Sequence, residues 1–190
     1  VFNAAAIKTV RLTKGGFPAR FGGRLSSVLE IDMKEGNTKE FKGEATIGLI
    51  SSKLSLEGPI IKDKTSFIIA GRRTYADFIV KPFMPASTDL TLYFYDLNAK
   101  INHKISQNDR LYLSAYLGRD AFGINYDSSL EGGKGNQNSS DNGILNFGLG
   151  YGNITSTLRW NHLFNNKLFS NTTFTFSRYS FNTDFGLTAN

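Results

Sequence analysis

Alternation of apolar and polar residues over 93–102 constrains this 190-residue chain more than any other feature. Tyr93, Tyr95, Leu97, Ala99 and Ile101 share one parity, while Phe94, Asp96, Asn98, Lys100 and Asn102 share the other. Successive side chains of a β-strand point to opposite faces, so this pattern predicts a strand with one apolar face and one largely polar face. Leu111, Leu113, Ala115 and Leu117 continue the apolar set in the next run, against Tyr112, Ser114 and Tyr116. In 153–162, Ile154, Leu158 and Trp160 oppose Thr155, Thr157, Arg159 and Asn161. Helical i, i+3, i+4, i+7 spacing is not sustained anywhere.

The strand-like runs are long: 41–57, 65–75, 91–106, 110–124, 146–164 and 168–182. Ordinary strands average about five or six residues. Six long amphipathic strands suit a soluble sheet with one wet face, or a transmembrane barrel with lipid outside and polar groups inside. The connections separate the two. Residues 61–64, 107–109 and 165–167 are short polar turns, whereas 76–90, with Pro82 and Pro85, and 125–145, rich in Gly, Asn and Ser, are long. Such an alternation of short and long connections is the asymmetry of an outer-membrane barrel. Aromatic residues near strand ends point the same way: Tyr93, Tyr95, Trp160, Phe164, Phe169, Tyr179 and Phe181.

Composition removes other classes. With 16 Phe, 8 Tyr, 1 Trp and 19 Gly, the chain does not suit a helical bundle. It has no Cys, which excludes a disulfide framework and Cys-ligated metals. Only His103 and His162 could supply imidazole, so no metal or other cofactor is expected. The net charge of +6 is scattered, and Arg72-Arg73 before Tyr75 is the one tight basic pair with an aromatic neighbour, so nucleic acid is not an expected partner. No nucleophile elbow, zinc-protease helix or phosphate loop occurs. Gly148-Leu149-Gly150-Tyr151-Gly152 lacks the βαβ context of a dinucleotide site, and nothing in the sequence brings Asp96 and Asp120 together as an acid pair. Enzymatic activity is therefore not expected. No run approaches the ~18–20 apolar residues of a transmembrane helix. No signal peptide opens the chain and its first residue is not Met, so it reads as a portion of a longer protein. On a barrel reading six strands are themselves an incomplete set, because an open edge would leave backbone groups unpaired in hydrocarbon.

The first 37 residues differ from the rest. A short strand at Ile7–Leu12 precedes the Gly-rich stretch Lys14-Gly15-Gly16-Phe17-Pro18-Ala19-Arg20-Phe21-Gly22-Gly23-Arg24. A second strand with Val28, Leu29, Ile31 and Met33 follows, and Glu35-Gly36-Asn37 reads as a turn. Ile7, Val10, Lys14-Gly15, Pro18-Ala19-Arg20-Phe21-Gly22-Gly23 and Ser27-Val28-Leu29-Glu30-Ile31 together resemble the end of the plug domain in TonB-dependent outer-membrane receptors of the Bacteroidota type. Phe41-Lys42-Gly43-Glu44 and Leu56-Glu57-Gly58-Pro59-Ile60 are similar to the first barrel strand and turn of that branch. Ser26-Ser27 departs from the wider pattern, where many members carry a Gly pair.

The resemblance implies a mainly β chain. Residues 1–37 would be the C-terminal piece of a plug, and 38–190 the N-terminal part, about six strands, of a barrel of about 22 strands. It implies energised uptake across the bacterial outer membrane of a scarce ligand: a ferric siderophore, cobalamin, oligosaccharide or peptide. Its partners would be the inner-membrane TonB complex, contacted through a segment before Val1, the outer-membrane lipid, and a surface lipoprotein in some members of the branch. Gly15, Gly16, Pro18, Arg20, Phe21, Gly22, Gly23 and Arg24 form the plug turn motif. A plug that seals a polar lumen yet moves is served by polar contacts that water can replace. Arg20 and Arg24 are therefore expected to face acids of the wall, with Glu44 and Asp96 as candidates. Two alternatives share much of the pattern: a passive outer-membrane porin, which needs no plug-like segment, and a soluble β-sandwich binding module.

Overall fold

A computed structural model describes residues 4–16, 18, 21, 26–128 and 143–189. The chain is mainly β and its sheets are antiparallel. A two-stranded hairpin comes first: β1 (Ile7–Lys14) pairs with β2 (Ser27–Met33), with Val10 opposite Ile31 and Leu12 opposite Leu29. A seven-stranded meander follows, each strand bonded to its neighbours in sequence. Its strands are β3 (Lys42–Ile47), β4 (Ser51–Ile61), β5 (Thr65–Thr74), β6 (Thr88–Lys104), β7 (Asp109–Asp127), β8 (Gly143–Asn165) and β9 (Leu168–Ala189). The sheet order β3 to β9 does not close on itself. No helix among the described residues is long and apolar enough to cross a membrane.

Two sequence expectations change. The run 41–57 is two strands, because the chain reverses at 48–50, where the Gly48 N–H bonds back to the Ser51 carbonyl at 2.9 Å. Tyr75 braces this reversal: its N–H reaches the Ile50 carbonyl at 3.0 Å and its hydroxyl donates to the Gly48 carbonyl. The sheet therefore has seven strands rather than six, and the first two connections, 48–50 and 62–64, are both short. Alternation of short and long connections holds only from β4 onward. The later strands are longer than the sequence suggested, because pairing extends into the expected loops: β6 starts at Thr88, β7 runs to Asp127 and β8 starts at Gly143. The connection after β5 holds one helical turn, α1 (Ala76–Val80), and a 3-10 turn at Lys81–Phe83. Pro82 sits at the start of that turn, where its missing N–H costs nothing.

The hairpin and the residues after it lie against one face of β5–β6. Gly36 takes φ +80° there, and a Cβ at that position would collide with the Phe67 carbonyl, so only glycine permits so close an approach. Asn37 ends the crossing, its Oδ1 accepting the N–H groups of Lys39 at 2.9 Å and Glu40 at 3.2 Å. At the other end of the hairpin Gly15 and Gly16 take φ +68° and +54°, a left-handed backbone that favours glycine. Phe21 N–H closes a turn on the Pro18 carbonyl at 3.0 Å. The remaining residues of the Gly-rich motif, Arg20, Gly22, Gly23 and Arg24, lie outside the described residues.

Candidate functional site

Cross-strand register sorts the meander into two faces. Partners in register point the same way, so Leu54, Gly71, Leu97, Leu117 and Ile154 form one row across five strands. Ile101, Leu113, Leu158 and Phe174 form another row of the same face. On the opposite face the rows read Asn102–Tyr112–Arg159–Thr173 and Lys100–Ser114–Thr157–Thr175. The hairpin covers the β5–β7 part of this second, polar face, while Thr173 and Thr175 of β9 stay exposed, and it leaves the apolar face bare. Leu97 is 45% exposed while its neighbour Asp96 is 4% exposed. Asn98, Lys100 and Asn102 are buried, whereas Leu54, Leu56, Ile69, Leu113 and Ile154 are exposed. A protein folded in water buries the apolar face of such a sheet; here the arrangement is inverted.

The side-chain hydrogen bonds and ion pairs of the covered face lie around two buried apolar residues, Ile68 and Ala70. Lys100 Nζ donates to the Met33 carbonyl at 3.1 Å, and Ser66 Oγ donates to the Glu35 carbonyl at 2.7 Å. Arg110 approaches the Glu35 carboxylate at 3.7 Å. Arg72 Nε and Nη2 both donate to Asp96 Oδ2, at 2.8 and 2.6 Å, and the Arg72 guanidinium lies 4.8 Å from the Phe94 ring centroid. Burying this ion pair is tolerated because each charge meets its partner and further groups: Asn98 Nδ2 donates to the second Asp96 oxygen at 3.3 Å.

Of the two acids expected to receive Arg20 or Arg24, Asp96 is held by Arg72 and Glu44 by Lys53 at 3.2 Å. Asp96 and Asp120 do reach the same face, one row apart, since Asp96 pairs with Gly118 and Phe94 with Asp120. Each is engaged separately, Asp96 by Arg72 and Asp120 by the Tyr151 hydroxyl, so they do not act as a pair. Arg72 and Arg73, adjacent in sequence, project to opposite faces and make no joint basic patch. No group of three potential metal ligands occurs among the described residues. The cluster around Tyr112, with Lys100, Arg110 and Arg159, escaped the sequence reading. Its only signal there was charge at polar-parity positions deep inside long strands.

The two faces exchange character toward the long connections. Beyond Tyr93, Leu117 and Ile154, the bare face carries Gly148, Gly150, Asn182 and Asp184. The covered-side face there carries the row Leu90–Ile124–Phe147–Phe185, with Phe122 and Phe147 edge to face at 6.3 Å. Tyr179 and Phe181 belong to this face, not to the Trp160 face, because they pair with Asn153 and Tyr151.

At the short-turn end the bare face finishes in an aromatic cluster. Asp109 Oδ1 accepts from Trp160 Nε1 at 3.0 Å and from His162 Nδ1 at 2.6 Å, and its Oδ2 accepts from Ser106 Oγ at 2.8 Å. Phe164 meets the His162 ring edge-on at 4.3 Å. Three donors hold the Asp109 carboxyl below the usual carboxylate range, the His162 bond first, then Ser106, then Trp160.

No protein family, no curated protein and no solved structure matches this chain.

Proposed function

We propose that this chain is part of a TonB-dependent transporter of the bacterial outer membrane. In this reading the meander is a section of barrel wall, the hairpin is the end of the plug, and the uncovered apolar face meets lipid. The single observation that carries the reading is the inversion: Leu97, Leu113, Leu117 and Ile154 exposed, Asp96, Asn98 and Lys100 buried. A soluble sandwich would place those leucines between two sheets. Dimensions agree with a membrane. From Tyr93 to Ile101 the apolar parity covers about 26 Å of strand at ~3.3 Å per residue. A tilt of about 40° reduces this to about 20 Å of height, near the ~25 Å apolar band of outer-membrane barrels. The exchange of faces beyond Tyr93 then marks where the wall leaves the bilayer, water meeting Asn182 and Asp184 outside and aromatic side chains lining the mouth.

In such a transporter the ligand, a ferric siderophore, cobalamin, oligosaccharide or peptide, enters from the long-connection side. The TonB complex then pulls the plug, and no chemistry is done on the ligand. Polar contacts such as Lys100 to the Met33 carbonyl and Ser66 to the Glu35 carbonyl suit a plug that must slide, since water replaces them at little cost. The seated hairpin favours this reading over a passive porin, which has no use for it.

A pair of lysine substitutions tests the assignment. Leu117→Lys on the bare face is expected to cost ~2–4 kcal/mol in lipid or detergent, while Thr155→Lys on the covered-side face costs little. If Leu117→Lys were neutral and the chain unfolded cooperatively without detergent, the membrane reading would be lost.

A further inference from the structure

We propose that the covered face holds a small-anion site built around Tyr112, of a kind that takes an oxyanion of the phosphate class. Tyr112 is 6% exposed and three cations converge on it. Lys100 Nζ lies 5.3 Å and Arg159 Cζ 4.4 Å from its ring centroid, and Arg110 Nη1 is 3.5 Å from its hydroxyl. Because they share one ring, the Lys100 and Arg159 charges are within about 10 Å of each other, inside the range that salt screens poorly.

Two of the three have partners: Arg110 faces Glu35 at 3.7 Å and Lys100 bonds the Met33 carbonyl. Arg159 has none. Among the described residues no hydrogen-bond acceptor and no carboxylate reaches it, and its Nε is closed off from solvent. A buried guanidinium N–H without an acceptor is costly, and such a group marks a place where something else completes the bonding.

A cavity of about 260 Å³ opens beside it, between strand β2 and the sheet. The Ser114, Thr157 and Thr173 hydroxyls line that cavity beside the ammonium and the guanidinium. Ser114 donates to the Thr157 carbonyl and Thr173 to Asn171 Oδ1, which leaves Thr157, its hydroxyl 3.3 Å from that of Thr175, as the hydroxyl able to donate to a guest. Two positive charges exclude a metal cation there, and three hydroxyls do not suit an apolar guest. Asp32 also borders the cavity, but it is exposed and pairs with neither cation. An oxyanion fits what remains, because Arg presents its donors as a fork to oxygen pairs. The site follows from sheet register and from the hairpin seated on the sheet, and stands apart from the transport reading.

Equilibrium dialysis of the purified full chain in detergent against labelled inorganic phosphate tests it. Saturable binding of one phosphate per chain is expected, weakened at least about tenfold by Arg159→Gln. Arg159→Lys, which keeps charge but not the fork, should fall between. Arg178→Gln on the opposite face should bind as the unsubstituted chain does. If Arg159→Gln fails to fold, Thr157→Val decides, since it removes a donor and no charge; several-fold weaker binding is expected. The proposal is overturned if phosphate does not saturate, if both Arg159→Gln and Thr157→Val bind normally, or if Arg178→Gln weakens binding equally.

Discussion

Arg72 donates two hydrogen bonds to one oxygen of Asp96, the residue directly across from it on the neighbouring strand. The Asp96 side chain is 3% exposed and that of Arg72 18%, so the pair is largely removed from water. Removing one partner leaves an uncompensated buried charge, whereas removing both does not. Asp96→Ala is expected to destabilise the protein by ~3–5 kcal/mol in urea unfolding, and the double variant Arg72→Met/Asp96→Leu to recover most of it. A double variant as unstable as Asp96→Ala would show that the pair is not what the site requires.

At the short turn before β7, Asp109 makes the fold respond to acid. Its carboxyl is held below the usual range by His162 first, then Ser106 and Trp160. The folded-state value is thus lower than the unfolded one of about 3.9, so the turn's contribution is complete above about pH 4. It is lost as pH falls through the depressed value. The fluorescence of Trp160, the one tryptophan, should shift with a midpoint below about pH 4, and Asp109→Asn should remove that transition. A transition unchanged in Asp109→Asn would place the titrating group elsewhere.

Trp160 also reports depth. It sits at the short-turn end of the bare face beside His162, where an indole with its N–H engaged belongs at a membrane–water boundary. In vesicles of brominated lipids its emission is expected to be quenched more strongly by bromines near the headgroups than by bromines near the chain ends. Quenching by neither would argue against contact with lipid.

Gly36 seats the hairpin on the wall. Gly36→Ala forces a Cβ into the Phe67 carbonyl at a positive φ, which costs ~1–2 kcal/mol for the backbone alone, before the collision is counted. Faster amide exchange over residues 33–37 is expected, with strands β7–β9 little changed. Uniform acceleration across the sheet would mean that the hairpin supports the whole fold rather than resting on it.

Much of this fold was legible in the chain. The parity sets over 93–102, 110–117 and 153–162 are the observed faces, because a strand's period of two is a local property. The division of 41–57 was not legible. Gly48, Leu49 and Ile50 reverse the chain with the help of Tyr75, some 25 residues away, and no turn dipeptide marks the place. In the sequence Tyr179 and Phe181 read as boundary aromatics close to a strand end. Their register with Asn153 and Tyr151 puts them on the other face.

The polar cluster shows the same division. Lys100, Tyr112 and Arg159 were each readable as polar-parity residues, but their meeting at one ring depends on the register of β6, β7 and β8, and a long connection separates β7 from β8. Local alternation was enough to establish that Leu97 and Asp96 face opposite ways. It could not say which of them would be covered, since alternation reads the same whichever face is in contact with water. That choice came from the hairpin, whose Met33 and Glu35 carbonyls bond Lys100 and Ser66, and Gly36 lets its backbone approach closely enough to cover the polar side.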